Sequence, residues 1–265
     1  MTPDDIAKAA DALFEADQAG QQIGLLSVTH PDITMDHAYA VQSALIARKR
    51  AAGRHVIGWK IGLTSRAMQQ ALNIDIPDSG VLLDDMAFDN ASSIPAGRFI
   101  QPRIEAEIAF VMKAPLKGRV TREDVLAATD YVAPAIEILD TRIKRLCPIT
   151  GQPRKIFDTI ADNAANAGII LGAGRFDPNE HDLRWTGAIV SANGQVEETG
   201  LGAGVLNDPV TGIVWLADRM EQYGASIGAG QIILSGSFLR PVECPPGTEI
   251  DADFGPWGHV SCRFD

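Results

Sequence analysis

The stretch Pro102-Arg103-Ile104-Glu105-Ala106-Glu107-Ile108-Ala109-Phe110-Val111 decides how the chain is read. Its apolar residues recur at every second position, the period of a strand. Ile104, Ala106, Ile108 and Phe110 then share one face, and Arg103, Glu105 and Glu107 share the other. A buried, unpaired carboxylate costs several kcal/mol, so the two glutamates either face water or have a partner. Their Cα atoms stand roughly 7 Å apart, and their oxygens can converge on one ion. Both readings, a solvated sheet face and a cation site, are open at this point.

A third carboxylate narrows the choice. In Val132-Ala133-Pro134-Ala135-Ile136-Glu137-Ile138-Leu139-Asp140, Glu137 stands alone in an almost wholly apolar strand. Lys60 poses the same problem with the opposite sign in "VIGWKIGLTS" (56–65). It reads either as an edge-strand lysine or as the cation that an anionic ligand would need.

Around these strands the chain has two textures. Residues 1–55 read as a small helical part. Thr2 is an N-cap, Pro3 takes the first helical position, and Asp4 and Asp5 fill the first turn. A second helix starts near Asp36 and closes at Gly53, and Arg48-Lys49-Arg50 at its end reads as a solvated terminus. Residues 56–265 read as a β-rich body, with strands near 56–62, 104–112, 132–140, 184–192, 231–235 and 258–264 and helices near 122–129 and 209–223. The fold class expected is α+β. The basic, irregular segment "TRIKRLCPITGQPRKIF" (141–157) is long enough for a lid or binding loop.

Composition excludes several classes. The net charge of −11 argues against nucleic acid and anionic membrane surfaces as partners. No apolar run approaches a membrane span, and the acidic start lacks a signal-peptide layout, so a cytoplasmic location is expected. Cys147, Cys244 and Cys262 form no CxxC pair, and the five histidines are scattered, so neither a disulfide framework nor a zinc site is indicated. Any metal is expected to be a hard cation held by oxygen. "GLGAGVLNDP" (200–209) misses the spacing of a dinucleotide loop because position 205 is valine.

Taken together and in order, "GWKIGLTS", "IPDSGVLLDDM", "QPRIEAEIAFV", "VAPAIEILD", "FDTIADNAANAGIILG" and "GQIILSGSFLRPV" resemble the hydratase/decarboxylase family of meta-cleavage pathways. That family lies within the fumarylacetoacetate-hydrolase-like superfamily. The resemblance implies a mixed-sheet body of the fumarylacetoacetate-hydrolase C-terminal type. It also implies Mg²⁺ (or Mn²⁺) on Glu105, Glu107 and Glu137, a homo-oligomer built of pentamers, and a small 2-oxo- or 2-hydroxydienoate substrate. Asp78 in Pro77-Asp78-Ser79-Gly80 and Arg103 before the first metal glutamate match the hydratases of the family. The decarboxylases tend to lack that aspartate and to carry lysine in place of that arginine. Ser79 and Ser235 depart from the usual pattern.

The implied reaction adds water to 2-oxohept-4-ene-1,7-dioate to give 4-hydroxy-2-oxoheptanedioate, in homoprotocatechuate breakdown. The alternatives are hydration of five-carbon 2-hydroxypenta-2,4-dienoate and a 4-oxalocrotonate-type decarboxylation. Two further readings, a C–C hydrolase and a non-catalytic acid-binding protein, are weaker. The first needs a His-carboxylate pair near the motifs, and the second would have no use for Lys60 and Asp78. Lys60 and Asp78 are the expected catalytic residues. Arg103, Arg154, Lys155, Ser237 and Arg240 are the expected substrate-binding residues. A seven-carbon diacid carries a second carboxylate, which an acidic protein must meet with a dedicated cation. Arg154 with Lys155, or Arg240, are the places the sequence offers.

Overall fold

The computed structural model describes residues 1–66, 69–70, 74 and 76–265. Helix Pro3–Ala19 begins with the reciprocal cap its sequence calls for. The Thr2 hydroxyl accepts from Asp5 N, the Asp5 carboxylate accepts from Thr2 N, and Gly20 ends the helix in the left-handed region. Helix Met35–Ala51 is capped by Thr34 and packs against the first. At its C-terminal end Arg48 pairs with Asp11 and Lys49 with Asp17, tying the basic helix end to the neighbouring helix. The apolar faces of these helices (Ala10, Leu13, Val41, Leu45) share a core with Ile143 and Ile160, so they rest on the chain's middle segment.

Among the described residues the body contains two sheets. Its strands are β1 Val56–Gly62, β2 Asp78–Leu83, β3 Ala87–Phe88, β4 Ser92–Ile94, β5 Arg103–Met112, β6 Thr129–Leu139, β7 Asn166–Leu171, β8 Gly187–Ala192, β9 Gln195–Leu201, β10 Ile232–Leu234, β11 Val242–Glu243, β12 Glu249–Asp253 and β13 His259–Phe264. The larger sheet runs β2-β1-β10-β5-β6-β7-β3, with β11 also paired to β5, and the smaller runs β4-β13-β12-β8-β9. Both are mixed: β1–β10, β3–β7 and β4–β13 are parallel and the other pairs antiparallel. This is the α+β, mixed-sheet architecture expected.

The two faces of β5 divide as its alternation predicts. Ile104, Ala106, Ile108 and Phe110 join Ile136 and Ile138 of β6 in the main core. That core also takes Ile250, Val260 and Phe264 of the smaller sheet and Val210, Ile213 and Leu216 of helix Pro209–Gln222. The opposite face carries Glu105 and Glu107. It is floored by small and aliphatic side chains, Ala109, Ala135, Ile169 and Leu234. The basic segment 141–157 is irregular as far as Lys155, and a short helix, Ile156–Ala161, starts inside it.

Candidate active site

The site is built on the β5–β6 ladder. Register sets Glu105 directly opposite Glu137 and Glu107 opposite Ala135, so three carboxylates share one face within two rungs. One oxygen from each of Glu105, Glu107 and Glu137 lies within 4.8 Å of the others. Glu107 and Glu137 are fully buried, and Glu105 is half-buried at a cavity wall. Glu107 Oε2 accepts a 2.7 Å hydrogen bond from Gly236 N, but Glu107 Oε1 and both Glu137 oxygens accept none among the described residues. Gly236 holds that bond at φ +114, where a Cβ would lie 2.4 Å from Thr64, so only glycine fits.

Lys60 reaches the cluster from β1. Its Nζ stands 3.3 Å from Glu137 Oε1, with both side chains buried. Burial alone would depress the lysine, but Glu137, then Asp78, Glu105 and Glu107, carry it above its ordinary value, so it stays an ammonium. Asp78 opens β2 beside Gly62, where a Cβ would meet Asp78 Oδ1 at 2.2 Å and push that carboxylate from its place. Burial raises the Asp78 carboxyl, while Lys60 and Arg154 pull it down less strongly.

The glutamates are perturbed in the same direction. Burial first, and Glu137 second, push Glu105 up to about 7. Burial and then both neighbours push Glu107 well up, and burial raises Glu137 against the pull of Lys60. Four acids thus face one ammonium in a space with too few hydrogen-bond donors. Such carboxylates either keep protons or hold a cation. An all-oxygen donor set with three unsatisfied oxygens fits a hard divalent ion, and sulfur and imidazole are absent from it.

The cavity in front of the cluster has a volume of about 530 Å³. Its lining includes Lys60, Asp78, Arg103, Glu105, Arg154, Lys155, Ser237 and Arg240, with Glu107 and Glu137 buried behind. All ten residues singled out from the sequence therefore meet in one region. They differ in their pairing. Arg240 is ion-paired to Glu198 at 2.6 Å with its side chain 82% exposed. Arg154 donates to Thr141 Oγ1 at 2.7 Å, Lys155 is exposed, and Ser237 Oγ donates to Leu239 O at 2.8 Å.

Several supporting residues escape a reading of the sequence. Gln42, buried on helix Met35–Ala51, donates to Ser79 O and Ile160 O, both at 2.9 Å, and Tyr39 Oη accepts from Ser79 N. Asn163 and Asn166 grip the two polar groups of Val81. Asp162 takes Arg142 in a buried 2.6 Å ion pair. A glutamine between Val41 and Leu45 on an apolar helix face is the one signal that could have marked this support.

No family profile matches the chain. It is 51% identical over 256 residues, 96% of either chain, to the 2-oxo-hept-4-ene-1,7-dioate hydratase of Escherichia coli. It is 40% identical to the 2-keto-4-pentenoate hydratase of Paraburkholderia xenovorans, over all of this chain and 97% of that one. The chain belongs to the hydratase/decarboxylase family. As a member of that family it is an enzyme of the lyase class. The solved structure of 4-oxalocrotonate decarboxylase from Pseudomonas putida G7 complexed with magnesium and adipate superposes with a TM-score of 0.93. The two are 33% identical, and the match covers all of this chain and 99% of that one.

Proposed function

We propose that this enzyme hydrates 2-oxohept-4-ene-1,7-dioate, through its 2-hydroxyhepta-2,4-dienedioate tautomer, to 4-hydroxy-2-oxoheptanedioate in aromatic catabolism. The observation that carries the reading is the cluster of Glu105, Glu107 and Glu137, with unsatisfied oxygens, beside a buried Lys60 and a buried Asp78 at one cavity. The 51% identity to a hydratase of that substrate supports the choice within the family. The magnesium and adipate, a six-carbon diacid, in the related decarboxylase support both the ion and a dicarboxylate ligand.

Glu105, Glu107 and Glu137 would hold Mg²⁺ or Mn²⁺. Bound there, the ion supplies Lewis-acid stabilisation for negative charge that develops on the substrate's C1 and C2 oxygens. Lys60 is held charged by its acidic neighbours. It acts as a hydrogen-bond donor to the substrate carboxylate rather than as a base. In the reaction the dienol gains a proton at C5 as its 2-hydroxyl loses one. Water oxygen then bonds to C4 and a proton goes to C3, so one water is added in all. Asp78, its basicity raised by burial, is placed to orient that water and accept its proton. Ser237 and the cationic side chains of the cavity bind the remainder of the substrate.

We infer a homo-oligomer built of pentamers from the family resemblance, and a cytoplasmic location. Among the described residues no helix is long and apolar enough to cross a membrane. Purified protein with Mg²⁺ and the dienedioate is expected to bleach the near-UV absorbance of the conjugated dienol without releasing CO₂. Stoichiometric CO₂ from six-carbon 2-oxohex-3-enedioate, whose distal carboxylate sits on C5 and can leave to give the dienolate, with the dienedioate left unhydrated, would assign the protein to the decarboxylase branch instead.

A further inference from the structure

The cavity has a charge problem away from the glutamates. Four arginines, Arg103, Arg142, Arg145 and Arg154, lie within electrostatic reach of one another. Among the described residues two carboxylates lie within ion-pair distance of them, Asp162 and Glu243, while Glu105 attracts Arg103 and Asp162 attracts Arg154 from farther off. Asp162 is consumed by Arg142, which donates to it through both Nε at 2.6 Å and its backbone N at 2.7 Å. Glu243 is held at 2.6 Å by Arg145 and lies 4.0 Å from Arg103. Arg103 Nε is buried and donates to nothing among the described residues. Arg154 has only the neutral hydroxyl of Thr141 as a hydrogen-bond acceptor there, and no carboxylate within ion-pair distance. In a protein of net charge −11, two under-compensated guanidinium groups facing one cavity leave room for an anion.

Their place along the ladder says which anion. Arg103 shares a face of β5 with Glu105 and Glu107, on the side of Glu105 away from Glu107. Leu139 lies opposite Arg103, and Thr141, which anchors Arg154, follows two residues on, so both guanidinium groups sit at the same end. The backbone of Lys60 enters from the other end, level with Ala109 beyond Glu107, and its ammonium reaches in as far as Glu137. A strand advances roughly 7 Å every two residues, and a seven-carbon chain spans about the same length between its carboxyl carbons. The other cavity cations are less suited. Arg240 already has Glu198, and water solvates the exposed Lys155.

We propose that Arg154, with Arg103 beside it, receives the distal carboxylate of the substrate, the one far from the glutamate cluster, and so selects dicarboxylates over monocarboxylates. This rests on the hydratase reading for the orientation of the substrate, but its test needs no turnover. Isothermal titration of the magnesium-loaded protein would compare 2-oxoheptanedioate with 2-oxoheptanoate, which lacks only the distal carboxylate. Wild type is expected to favour the diacid by about 10- to 150-fold, the usual worth of a charged hydrogen-bond partner. Arg154→Ala should remove most of that preference by weakening the diacid alone, and the Arg103→Ala, Arg154→Ala double variant should bring the ratio to about one. Arg154→Lys should restore part of it. Unchanged 2-oxoheptanoate affinity certifies that each variant is folded. A diacid preference that survives the double variant, or an equal loss for both ligands, overturns the proposal. A wild type that discriminates between the ligands but hydrates neither dienoate would overturn the hydratase reading and leave this one standing.

Discussion

Glu105 and Glu137 face each other directly across the β5–β6 ladder, two like charges on adjacent strands. Like charges directly opposite one another destabilise a sheet. The pair is tolerable only with protons or a cation between them, and an ion held by Glu105, Glu107 and Glu137 would supply that charge. With Glu107→Gln, magnesium binding by calorimetry is expected to fall by at least about tenfold, while the far-UV spectrum stays native. Gly236 N can still donate to the amide oxygen. Retention of wild-type affinity would remove Glu107 from the ion's ligands.

The raised carboxyls give a pH signature to the ion-free protein. Glu105 sits at about 7 when folded against its usual 4.5, chiefly through burial. A group whose folded pKa is raised contributes stability in full below its unfolded pKa, and that contribution is lost as pH rises through the folded value. With EDTA present, Tm should therefore fall between about pH 5 and pH 8. The stabilisation by Mg²⁺, which needs the ionised carboxylates, should grow over the same range. An EDTA-treated protein whose Tm rises over that range would contradict the assignment of buried, mutually repelling glutamates.

Lys60→Ala and Asp78→Asn are each expected to lower kcat by on the order of 10²-fold or more, as for other groups that handle protons or developing charge. The two should differ in stability. Lys60→Ala leaves Glu137 without its cation in a buried site and should lower Tm, whereas Asp78→Asn removes a desolvated charge and should not. A wild-type rate for Asp78→Asn would leave water activation to another group.

Gln42 links the helical N-terminal part to β2, the strand that carries Asp78. Gln42→Leu leaves Ser79 O and Ile160 O without their buried donor, at a cost of about 1–3 kcal/mol per group. Because Ser79 adjoins Asp78, kcat should fall more than KM rises. A purely structural role would lower Tm and leave kcat of the folded fraction unchanged.

Much of this site is legible in the sequence because its physics is local. The two-residue alternation of 104–110 places Glu105 and Glu107 on one face, and Glu137 stands out against an apolar run. Helices with strong caps, such as Pro3–Ala19, are equally plain. β2 is buried at every position and so has no alternation to read, while β9, "QVEETGL", is a largely exposed strand without an apolar face. The left-handed run Asn163-Ala164-Ala165, which sets the cavity-lining Ala164 and Ala165 beside β2, follows no turn signature. Pairing is less legible still. Nothing local in Arg240 or Arg154 says that the first will meet Glu198 and the second no carboxylate.

Hydration at C4 is read directly by following the oxygen. Magnesium-loaded enzyme would convert 2-hydroxyhepta-2,4-dienedioate in H₂¹⁸O, with the product's exchangeable ketone reduced before mass spectrometry. A seven-carbon product carrying one non-exchangeable ¹⁸O at C4 is expected, with no CO₂ formed. A product one carbon shorter, or one without label at C4, would contradict hydration there.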